Sequence, residues 1–317
     1  MGSIPTPQAP HAPPVPSIGR LVVVGVGLIG GSCALALKEA GAVAEVVGVG
    51  RTRANLDEAL ARGIVDRAAT LDEDWTAELL DADMVLVAAP VAQFPSLFRA
   101  MAGRLGPRTV VTDAGSTKAD VVAAAGAALA EALPRFVPAH PIAGTEHSGA
   151  AAAFATLFRG RTTVLTPTDA TDARAVGAVR TLWECCGARV VELDASTHDR
   201  TFAAVSHLPH VLAFALVAEL ASRPDAGRLF AHAASGFRDF TRIAGSSPEM
   251  WRDIALANRG ALVDAIDDYA RMLARMREAI VAGDGETLER LFAQASGARR
   301  RWSGVSPSAR PGVPLAE

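Results

Sequence analysis

The feature that most constrains the fold is a glycine-rich turn between an apolar run and a helical pattern. The segment "RLVVVGVGLIGGSCALALKEAG" places Gly25, Gly27 and Gly30 after Leu21–Val24, a run typical of a buried parallel strand, and before a helix predicted over Ser32–Ala40. A lone GxGxxG pattern is a weak signal, but its position between a strand and a helix favours dinucleotide binding. Small residues let the backbone approach a pyrophosphate, which the free N–H groups of a helix N-terminus bind.

Strand and helix patterns continue to alternate along the first half of the chain. Further strands are predicted at Glu45–Val49, Asp83–Pro90 and Arg108–Ser116, and helices at Arg53–Arg62, Gln93–Arg104 and over residues 117–133. Two more strand patterns follow, at Arg161–Pro167 and Ala188–Leu193. Such alternation predicts an α/β fold with a Rossmann-type domain, in which helices cover both faces of a parallel sheet.

From Ala195 to Trp302 the pattern is helical throughout. The segment "HDRTFAAVSHLPHVLAFALVAELA" is nearly all apolar, which predicts a helix buried in a core or a subunit interface. The expected site is the cleft between the two halves. We therefore predict a Pro-rich disordered tail at 1–17, a dinucleotide-binding domain at 18–165, an all-α substrate and dimerisation domain at 166–303 and a flexible tail at 304–317.

Composition excludes several classes of partner. The formal net charge is −3, so no basic field is available to hold nucleic acid. No uncharged apolar run of about 18 residues appears, so no membrane span is expected. The three cysteines form neither a disulfide framework nor a CxxC metal motif, which predicts a reducing, cytoplasmic location.

The end of the second predicted strand indicates which cofactor is bound. An acidic residue there would bind the ribose 2′-hydroxyl of NAD, but this chain has Gly50, followed by Arg51, Thr52 and Arg53. Two guanidinium groups and a hydroxyl suit a 2′-phosphate, so NADP is favoured over NAD; a solvated basic turn is the alternative. The other residues assigned to the cofactor, besides the three glycines, are Leu28, Ile29, Pro90 and Asp113.

Four polar stretches carry the remaining chemistry. They are "DAGSTK" at 113–118, "HPIAGTEHSG" at 140–149, "THDRTFAAVSHLPH" at 197–210 and "GFRDFTRIAGSSPEMWRDI" at 236–254. In this order, and together with "GVGLIGGS", they closely resemble the prephenate/arogenate dehydrogenase family of tyrosine biosynthesis. The resemblance covers nearly all of residues 20–300.

The resemblance implies an oxidative decarboxylation. A cyclohexadienol with a ring carboxylate and a side-chain carboxylate gives up a hydride to NAD(P)⁺, CO₂ leaves, and the ring becomes aromatic. Prephenate would give 4-hydroxyphenylpyruvate, and arogenate would give tyrosine. This chemistry needs an acceptor for the hydroxyl proton, donors for two carboxylates, and alignment with the nicotinamide.

The resemblance also implies roles for individual residues. His140 matches the catalytic histidine that binds the ring hydroxyl, and Ser116 matches a serine that bonds this histidine and the hydroxyl or cofactor. Ser116 also suits the N-cap of the helix that follows it. Arg242 matches the arginine that binds a substrate carboxylate. Thr145 matches a polar position of the substrate site, and Glu146, also assigned to the substrate, matches a residue implicated in gating or ionic contacts.

Three histidines of the third stretch are assigned to substrate binding. His207 and His210 share a helix face, whereas His198, nine residues before His207, would lie on the opposite face of a straight helix. Pro209 is expected to interrupt that helix as well. Spacing therefore does not group the three histidines, and only the resemblance does. A zinc site is the rival interpretation, but no fourth ligand is evident and no metal is predicted.

Other functions make different demands on the sequence. A β-hydroxyacid-type dehydrogenase uses a lysine in the helical domain, but no lysine follows Lys118. A short-chain dehydrogenase needs Tyr-x-x-x-Lys, but "ARML" follows Tyr269, the only tyrosine. Two alternatives stay open: a dehydrogenase of 4-amino-4-deoxyprephenate and a non-catalytic dinucleotide sensor. The apolar helices and the resemblance both predict a homodimer formed through the helical domain. The expected substrate is a small molecule.

Overall fold

The computed structural model describes residues 18–145 and 147–304. The predicted tail at 1–17 and residues 305–317 of the predicted C-terminal tail lie outside these ranges, and so does Glu146, which the sequence assigns to the substrate. The described chain forms an α/β half followed by a helical half, which confirms the predicted fold class.

Two sheets organise the first half of the described chain. The strands are β1 (Ile18–Val24), β2 (Val43–Gly50), β3 (Arg67–Thr70), β4 (Met84–Val87), β5 (Val110–Asp113), β6 (Phe136–Val137), β7 (Ala139–Pro141), β8 (Thr162–Leu165) and β9 (Arg189–Glu192). The larger sheet is parallel, with the order β3-β2-β1-β4-β5-β6. In the smaller sheet β8 lies between β7, antiparallel to it, and β9, parallel to it. The order of the larger sheet reverses beside β1, and ligands of such sheets bind at the carboxyl ends of the strands near this reversal.

Helices cover the sheet and then form the whole second half. They are α1 (Leu28–Glu39), α2 (Arg53–Ala61), α3 (Phe94–Met101), α4 (Ala119–Ala128), α5 (Ala173–Cys185), α6 (Ala195–Phe202), α7 (Leu208–Ala221), α8 (Ala226–Ala231), α9 (Ser235–Thr241), α10 (Pro248–Ala257), α11 (Arg259–Ala282) and α12 (Gly285–Gly304). Helix α1 begins four residues before its predicted start, because Gly27 is already its N-cap.

Strand β1 shows why the sheet forms where the sequence predicts it. Leu21, Val22, Val23 and Val24 are at most 1% exposed, and successive side chains of a strand point to opposite faces. Leu21 and Val23 pack in the apolar cluster that contains α1, whereas Val22 and Val24 pack in the cluster that contains α3. A β-branched run that is buried on both faces is what a central parallel strand requires.

The sequence does not predict three short strands, β3, β6 and β7. The edge strand β3 has only four residues, "RAAT", and no apolar run marks it. Pro138 separates β6, which pairs with β5, from β7, which pairs with β8. Because a proline cannot donate a ladder hydrogen bond, the chain leaves the larger sheet at this residue and enters the smaller one. Strand β7, which carries His140, is thereby separated from the larger sheet.

Residues 166–192 pack with the first half of the chain. Helix α5 contributes Val179, Leu182 and Trp183 to the same apolar cluster as α1, and β9 pairs with β8 along its length. The boundary predicted from the sequence lies before this segment. We propose instead that the nucleotide-binding domain extends to Leu193.

One continuous helical stretch, Ala195–Ala221, opens the second half. It consists of α6, a π-helical turn at Ala203–His207, and α7. Pro209 stands in the first turn of α7, where a proline is tolerated. The helix continues through Pro209, so the predicted interruption is wrong; what changes before the proline is the hydrogen-bond pattern, which is π-helical up to His207.

By length and composition alone, this stretch could cross a membrane. Its most apolar 18 residues have a mean hydropathy of 1.6, and 22% of that window is buried. One such helix is weak support for a membrane protein, since core helices of other proteins pass the same test. Its first turns carry buried polar groups that bind the nucleotide-binding half, as described below.

Candidate active site

The glycine-rich turn lies where β1 ends and α1 begins, at the carboxyl edge of the larger sheet. Gly25 has a φ of +102°, and a Cβ there would collide with the backbone of Ala88. A Cβ on Gly30 would collide with the carbonyl oxygen of Gly25. A Cβ on Gly27, in contrast, would meet no atom within 4 Å. The turn is therefore open at the start of α1, where the first N–H groups have no helical partners, and this surface fits a pyrophosphate.

Three other residues assigned to the cofactor border this turn. Leu28 and Ile29 are the first two residues of α1, so they supply the free N–H groups. Pro90 is exposed and follows Ala88, which packs against Gly25. All three therefore lie at the edge of the sheet where a dinucleotide would bind.

The turn after β2 is exposed and basic. Gly50 is buried at the end of the strand, and Arg51, Thr52 and Arg53 follow it with exposed side chains. Arg53 Nε lies 2.9 Å from a carboxylate oxygen of Asp57, one helical turn away. Arg51 has no hydrogen bond or ion pair to another residue in the described part of the chain.

Asn55 joins this region to two other loops. Its Nδ2 donates to the carbonyl oxygen of Val26 at 2.7 Å, and its Oδ1 accepts from the N–H of Ala150 at 2.8 Å. Gly149, just before Ala150, has a φ of +83° and lets the loop that follows β7 turn toward α2. Sequence reasoning missed Asn55, because nothing in the local pattern distinguishes it from a surface asparagine.

Asp113 has a structural task and does not meet the cofactor. Its side chain is completely buried, and its carboxylate accepts from the N–H groups of Gly115 at 2.7 Å and Ala139 at 3.0 Å. No surface remains for a ligand, so its assignment to the cofactor is corrected. Ser116 directly follows Gly115, and His140 directly follows Ala139. Asp113 therefore holds the loop that carries Ser116 close to the strand that carries His140.

Lys118 is the second buried charge between the loop after β5 and strand β7. It forms an ion pair with Asp113, and neither side chain has any exposed surface. Its ammonium also donates to the carbonyl oxygen of Ala139 at 2.7 Å. Burial raises the pKa of Asp113, and the positive charge of Lys118 opposes that rise. Removing one partner of such a pair would leave the other charge buried and unpaired, which is strongly destabilising.

His140 begins a chain of hydrogen bonds that crosses from β7 into the helical half. Its Nδ1 lies 2.8 Å from Nε2 of His198 in α6, and Nδ1 of His198 lies 2.8 Å from Oδ1 of Asp199. The ring of Phe202 packs against both imidazoles, with its centroid 4.9 Å from that of His140 and 4.5 Å from that of His198. Residues that are 58 positions apart in the sequence therefore meet at the junction of the two halves.

His198 does not contact the substrate. It has no exposed surface, and both of its ring nitrogens are already engaged, one by His140 and the other by Asp199. Its assignment to substrate binding is corrected to a supporting position behind His140. His140 itself is half-buried at the junction of the two halves.

Both imidazoles are neutral near pH 7. Burial lowers the pKa of His140 well below its usual value, and His198, Lys118 and His207 lower it further. Burial also lowers the pKa of His198, although Asp199 opposes this shift. A neutral imidazole has one N–H donor and one lone-pair acceptor, so each ring in the chain has a direction.

Asn258 joins His207, at the end of the π-helical turn, to helix α6. Asn258 Nδ2 lies 2.8 Å from the carbonyl oxygen of Asp199 and 3.1 Å from Nδ1 of His207. The spacing predicted opposite faces for His198 and His207, but a π turn is wider than an α turn and holds the rotation back. Burial lowers the pKa of His207 to about 4. Its Nε2 is buried and has no partner among the described residues.

A second group of side chains lies one helical turn further along. The ring of His210 stacks on Trp251 with centroids 3.6 Å apart, and its Nδ1 donates to the carbonyl oxygen of Ser206 at 2.9 Å. Burial lowers the pKa of His210, and the charge of Arg242 lowers it further. The exposed guanidinium of Arg242 is therefore close enough to act on His210, and a fork of N–H donors at this position suits a carboxylate.

Ser116 and Thr145 lie on loops beside His140. Ser116 is half-buried between β5 and α4, and Thr145 is exposed after β7. Ser116 does not cap α4, which was the alternative role. Asp199 takes that role, because its carboxylate accepts from the N–H groups of Lys118 at 2.8 Å and Ala119 at 2.9 Å.

Besides Asn55, sequence reasoning missed four residues that build this site. Asp199 and Trp251 lie inside the polar stretches, and the position of Asp199 directly after His198 was the available signal. Lys118 also lies in a polar stretch, but its burial could not be foreseen. Asn258 has no local signal at all. In residues 18–145 and 147–304, no three side chains of metal-ligating type are grouped to hold an ion.

The first half carries a dinucleotide-binding sheet, and His140 of this half is hydrogen-bonded to His198 of the helical half. This arrangement is typical of a two-domain, nicotinamide-dependent oxidoreductase. The model of the prephenate dehydrogenase nucleotide-binding domain matches residues 33–192, and that of the prephenate dehydrogenase dimerization domain matches residues 194–294. The chain belongs to the prephenate dehydrogenase family. The resemblance seen in the polar stretches is thereby confirmed.

Individual relatives cover nearly the whole chain. A cyclohexadienyl dehydrogenase from Zymomonas mobilis is 34% identical over 284 residues, 88% of this chain and 94% of that protein. The prephenate dehydrogenase of Aquifex aeolicus, solved with hydroxyphenyl propionate and NAD⁺, is 35% identical with a TM-score of 0.84, over 90% of this chain and 98% of that one. A Synechocystis arogenate dehydrogenase is 30% identical with a TM-score of 0.74, over 89% of this chain and 99% of that one.

Family membership confirms the predicted class of reaction, an oxidative decarboxylation that reduces a nicotinamide dinucleotide. It favours neither the non-catalytic sensor nor the amino-deoxy substrate. The choice between prephenate and arogenate, and between NAD and NADP, depends on finer features of this chain.

Proposed function

We propose that this chain oxidatively decarboxylates prephenate, arogenate or both, with NADP⁺ as the preferred hydride acceptor and NAD⁺ as the second. The observation that carries the proposal is the neutral His140, half-buried at the junction of the two halves and hydrogen-bonded from behind by His198. A neutral imidazole is an effective acceptor for a hydroxyl proton at physiological pH.

His140 acts on the ring hydroxyl of the substrate. When bound, the nicotinamide would serve as the acceptor for a hydride from the carbinol carbon. His140 takes the hydroxyl proton as the carbon–oxygen double bond forms, and Ser116 donates to or accepts from the same oxygen. The bond to the ring carboxylate then breaks, CO₂ leaves, and its electron pair makes the ring aromatic. The proton returns from His140 to the phenol oxygen, so no proton is consumed overall.

Arg242, His210 and His207 bind the carboxylates of the substrate. Arg242 supplies a charged fork, and His210 lies beside it. Nδ1 of His207 accepts from Asn258, so Nε2 carries the proton and is a buried donor in need of a partner. A substrate carboxylate in the cleft would satisfy it. Thr145 completes the loop side of this cleft.

The preference for NADP rests on the turn after β2. No acidic side chain stands at Gly50 to bind a ribose 2′-hydroxyl, and the exposed Arg51 has no protein partner in the described chain. A 2′-phosphate would give Arg51 a charge-assisted hydrogen bond, and Thr52 offers a hydroxyl next to it. Arg53 contributes less, since Asp57 already neutralises it.

The helical domain forms a homodimer. It matches a dimerization domain by family, and it exposes large apolar side chains that a partner would cover. The exposed apolar part of the stretch Ala195–Ala221 belongs to this surface, which accounts for its high hydropathy without a membrane.

Initial-rate kinetics with prephenate and with arogenate, each with NAD⁺ and NADP⁺, test the proposal. Turnover of either substrate with a lower KM for NADP⁺ than for NAD⁺ is expected. Turnover with a lower KM for NAD⁺ would overturn the cofactor preference alone. If neither substrate turned over while NADP⁺ still bound, as followed by protein fluorescence, the proposed reaction would be wrong for this chain.

A further inference from the structure

Asp199 binds two parts of the molecule at once. It lies on α6 with 5% of its surface exposed. Its Oδ1 accepts from Nδ1 of His198 and from the N–H of Lys118, both at 2.8 Å, and its Oδ2 accepts from the N–H of Ala119 at 2.9 Å. The carboxylate therefore orients an imidazole of its own helix and caps the first turn of α4 in the other half of the chain.

The carboxylate of Asp199 fixes the direction of both hydrogen bonds in the series that runs from Asp199 through His198 to His140. An ionised carboxylate only accepts, so Nδ1 of His198 must carry a proton. In the neutral ring of His198, Nε2 is then a lone-pair acceptor. His140 lies 2.8 Å away and must donate to this acceptor from its own Nδ1. The Nε2 atom of His140 is left with a lone pair.

We propose that Asp199 is a positioning residue which, through His198, holds His140 in the tautomer whose Nε2 accepts the proton of the substrate. This inference deepens the proposed function and rests on it for the identity of the proton. The arrangement follows the logic of a carboxylate that holds a histidine in its working tautomer, with a second histidine inserted between them.

The charged groups around His140 are consistent with this tautomer. Lys118 faces it from the start of α4 and is paired with Asp113 of β5, while His198 of α6 and His207 of the π turn face it from the helical half. Burial, His198, Lys118 and His207 all lower the pKa of His140, which keeps the resting ring neutral. The negative charge of Asp199 is held by its two N–H donors and by His198, and these bonds lower its pKa against the effect of burial.

Asp199 also supports the ring when it becomes charged. When His140 takes the hydroxyl proton at Nε2, it becomes an imidazolium that donates from Nδ1 to His198. The adjacent carboxylate of Asp199 stabilises this positive charge through the intervening ring. Because Asp199 caps α4 at the same time, the position of the loop with Ser116 and the orientation of His140 are set by one side chain.

The tautomer can be measured in the resting enzyme without any substitution. We expect ¹⁵N–¹H NMR of the imidazoles near pH 7.5 to show His140 protonated at Nδ1 and unprotonated at Nε2, with His198 also protonated at Nδ1. The signals of His140 are assigned as those missing from His140→Gln. A resting His140 that is protonated at Nε2 would overturn the inference, whatever the kinetics show.

Substitution of Asp199 by asparagine tests the consequence. The NH₂ of Asp199→Asn must face one of the backbone N–H groups that the carboxylate accepts. Where it takes the position of Oδ1, it donates to Nδ1 of His198, which would reverse both hydrogen bonds and put the proton of His140 on Nε2. By comparison with the same change behind other catalytic histidines, kcat is expected to fall by about 10²–10⁴-fold while KM changes little. The NMR signals of His140 are expected to move to the Nε2–H pattern.

Asp172→Asn is the matched control, since Asp172 also binds a helix N-terminus but contacts no histidine. It is expected to keep kcat within about twofold, because a cap contributes to stability only. A fall of kcat in Asp199→Asn without a change of tautomer would contradict the inference and indicate a structural role alone. An Nδ1–H tautomer in a wild-type enzyme that turns over neither substrate would instead uphold the geometry and refute the proposed function.

Discussion

The two halves of this molecule bury their apolar side chains to different degrees. In the nucleotide-binding half, strands and helices enclose two apolar clusters, one on each face of the larger sheet. In the helical half, α7 buries only Ala213, while α8 and α9 bury no residue. Large apolar residues that are 47% or more exposed there are Val205, Phe240, Leu256, Val263, Leu273, Ile280, Val281, Phe292 and Trp302.

The nucleotide-binding half therefore completes its apolar core within one chain, whereas the helical half needs the surface of a partner to cover its apolar side chains. A layer of secondary structure is stable only when its apolar face is covered. By the same measure the nucleotide-binding half exposes only Leu80 among the described residues. The site lies where the two halves meet, so its geometry depends on both.

The largest expected effect comes from the residue at this junction. His140→Gln keeps a hydrogen-bonding side chain but removes the proton acceptor, so kcat should fall by about 10²–10⁴-fold. Thermal stability and the KM for NADP⁺ should change little, which would separate the chemistry from both cores. His232→Gln, at an exposed histidine whose Nδ1 donates to the carbonyl oxygen of Arg228, is the control. A His140→Gln enzyme with near-normal kcat would remove this residue from the mechanism.

Exposed leucines of the two halves give the sharpest test of the comparison. Leu273 is 48% exposed on α11, on one helix face with Tyr269 and Ile280, and Leu80 is 65% exposed in the other half. Leu273→Asp should weaken the dimer by about 100-fold or more, because a charge would be buried in the interface. Leu80→Asp should leave it intact. Light scattering over a range of protein concentrations measures both, and equal behaviour of the two variants would contradict the assignment of the surface.

Cofactor selection is a property of the nucleotide-binding half alone and should respond to a single arginine. Arg51→Ala should raise the KM for NADP⁺ by about tenfold or more, the effect of losing a hydrogen bond to a charged group, and leave the KM for NAD⁺ nearly unchanged. Arg53→Ala should raise it less, because Asp57 already pairs with this side chain. Equal changes with both dinucleotides would show that Arg51 does not read the 2′-phosphate.

The smallest expected effect is a pH dependence of stability at the junction. His207 is neutral and buried in the folded chain, with a pKa lowered to about 4, whereas the unfolded chain protonates it below about pH 6.5. The unfolded state therefore binds more protons between these values, and the free energy of unfolding falls as pH decreases from 6.5 toward 4. One such histidine contributes at most about 1.4 kcal/mol per pH unit. Urea unfolding at several pH values should show a shallower fall for His207→Gln than for the wild type; parallel curves would contradict this prediction.

The fold of the first half was largely predictable because its signals are local. Runs such as Leu21–Val24 identify buried strands, and glycines with required conformations, such as Gly25, mark the turn to α1. The weak points were elements without a local signal. The edge strand β3 has no apolar run, and Pro138 divides a stretch that belongs to two sheets. The position of the domain boundary depends on where α5 packs, which no pattern in its own sequence reveals.

The sequence predicted which polar stretches contribute to the candidate site, but it did not predict the role of each residue within them. His140, Ser116, His207, His210 and Arg242 all come from polar stretches that border the junction. The roles of His198 and Asp113 differ from those expected, because their burial and hydrogen-bond partners are set by tertiary packing. The π turn is another such feature, since it makes the rotation between His198 and His207 differ from that of a straight helix.

The sequence alone established the class of fold and the dinucleotide-binding turn, and its resemblance to a known family implied the type of reaction. The first two depend on residues close together in the chain, where backbone geometry and side-chain periodicity act directly. The hydrogen bonds that join Asp199, His198 and His140 into one directed chain are visible in the tertiary structure alone. Such a chain joins residues far apart in sequence, and its direction follows from which groups burial leaves neutral and which one remains an ionised acceptor.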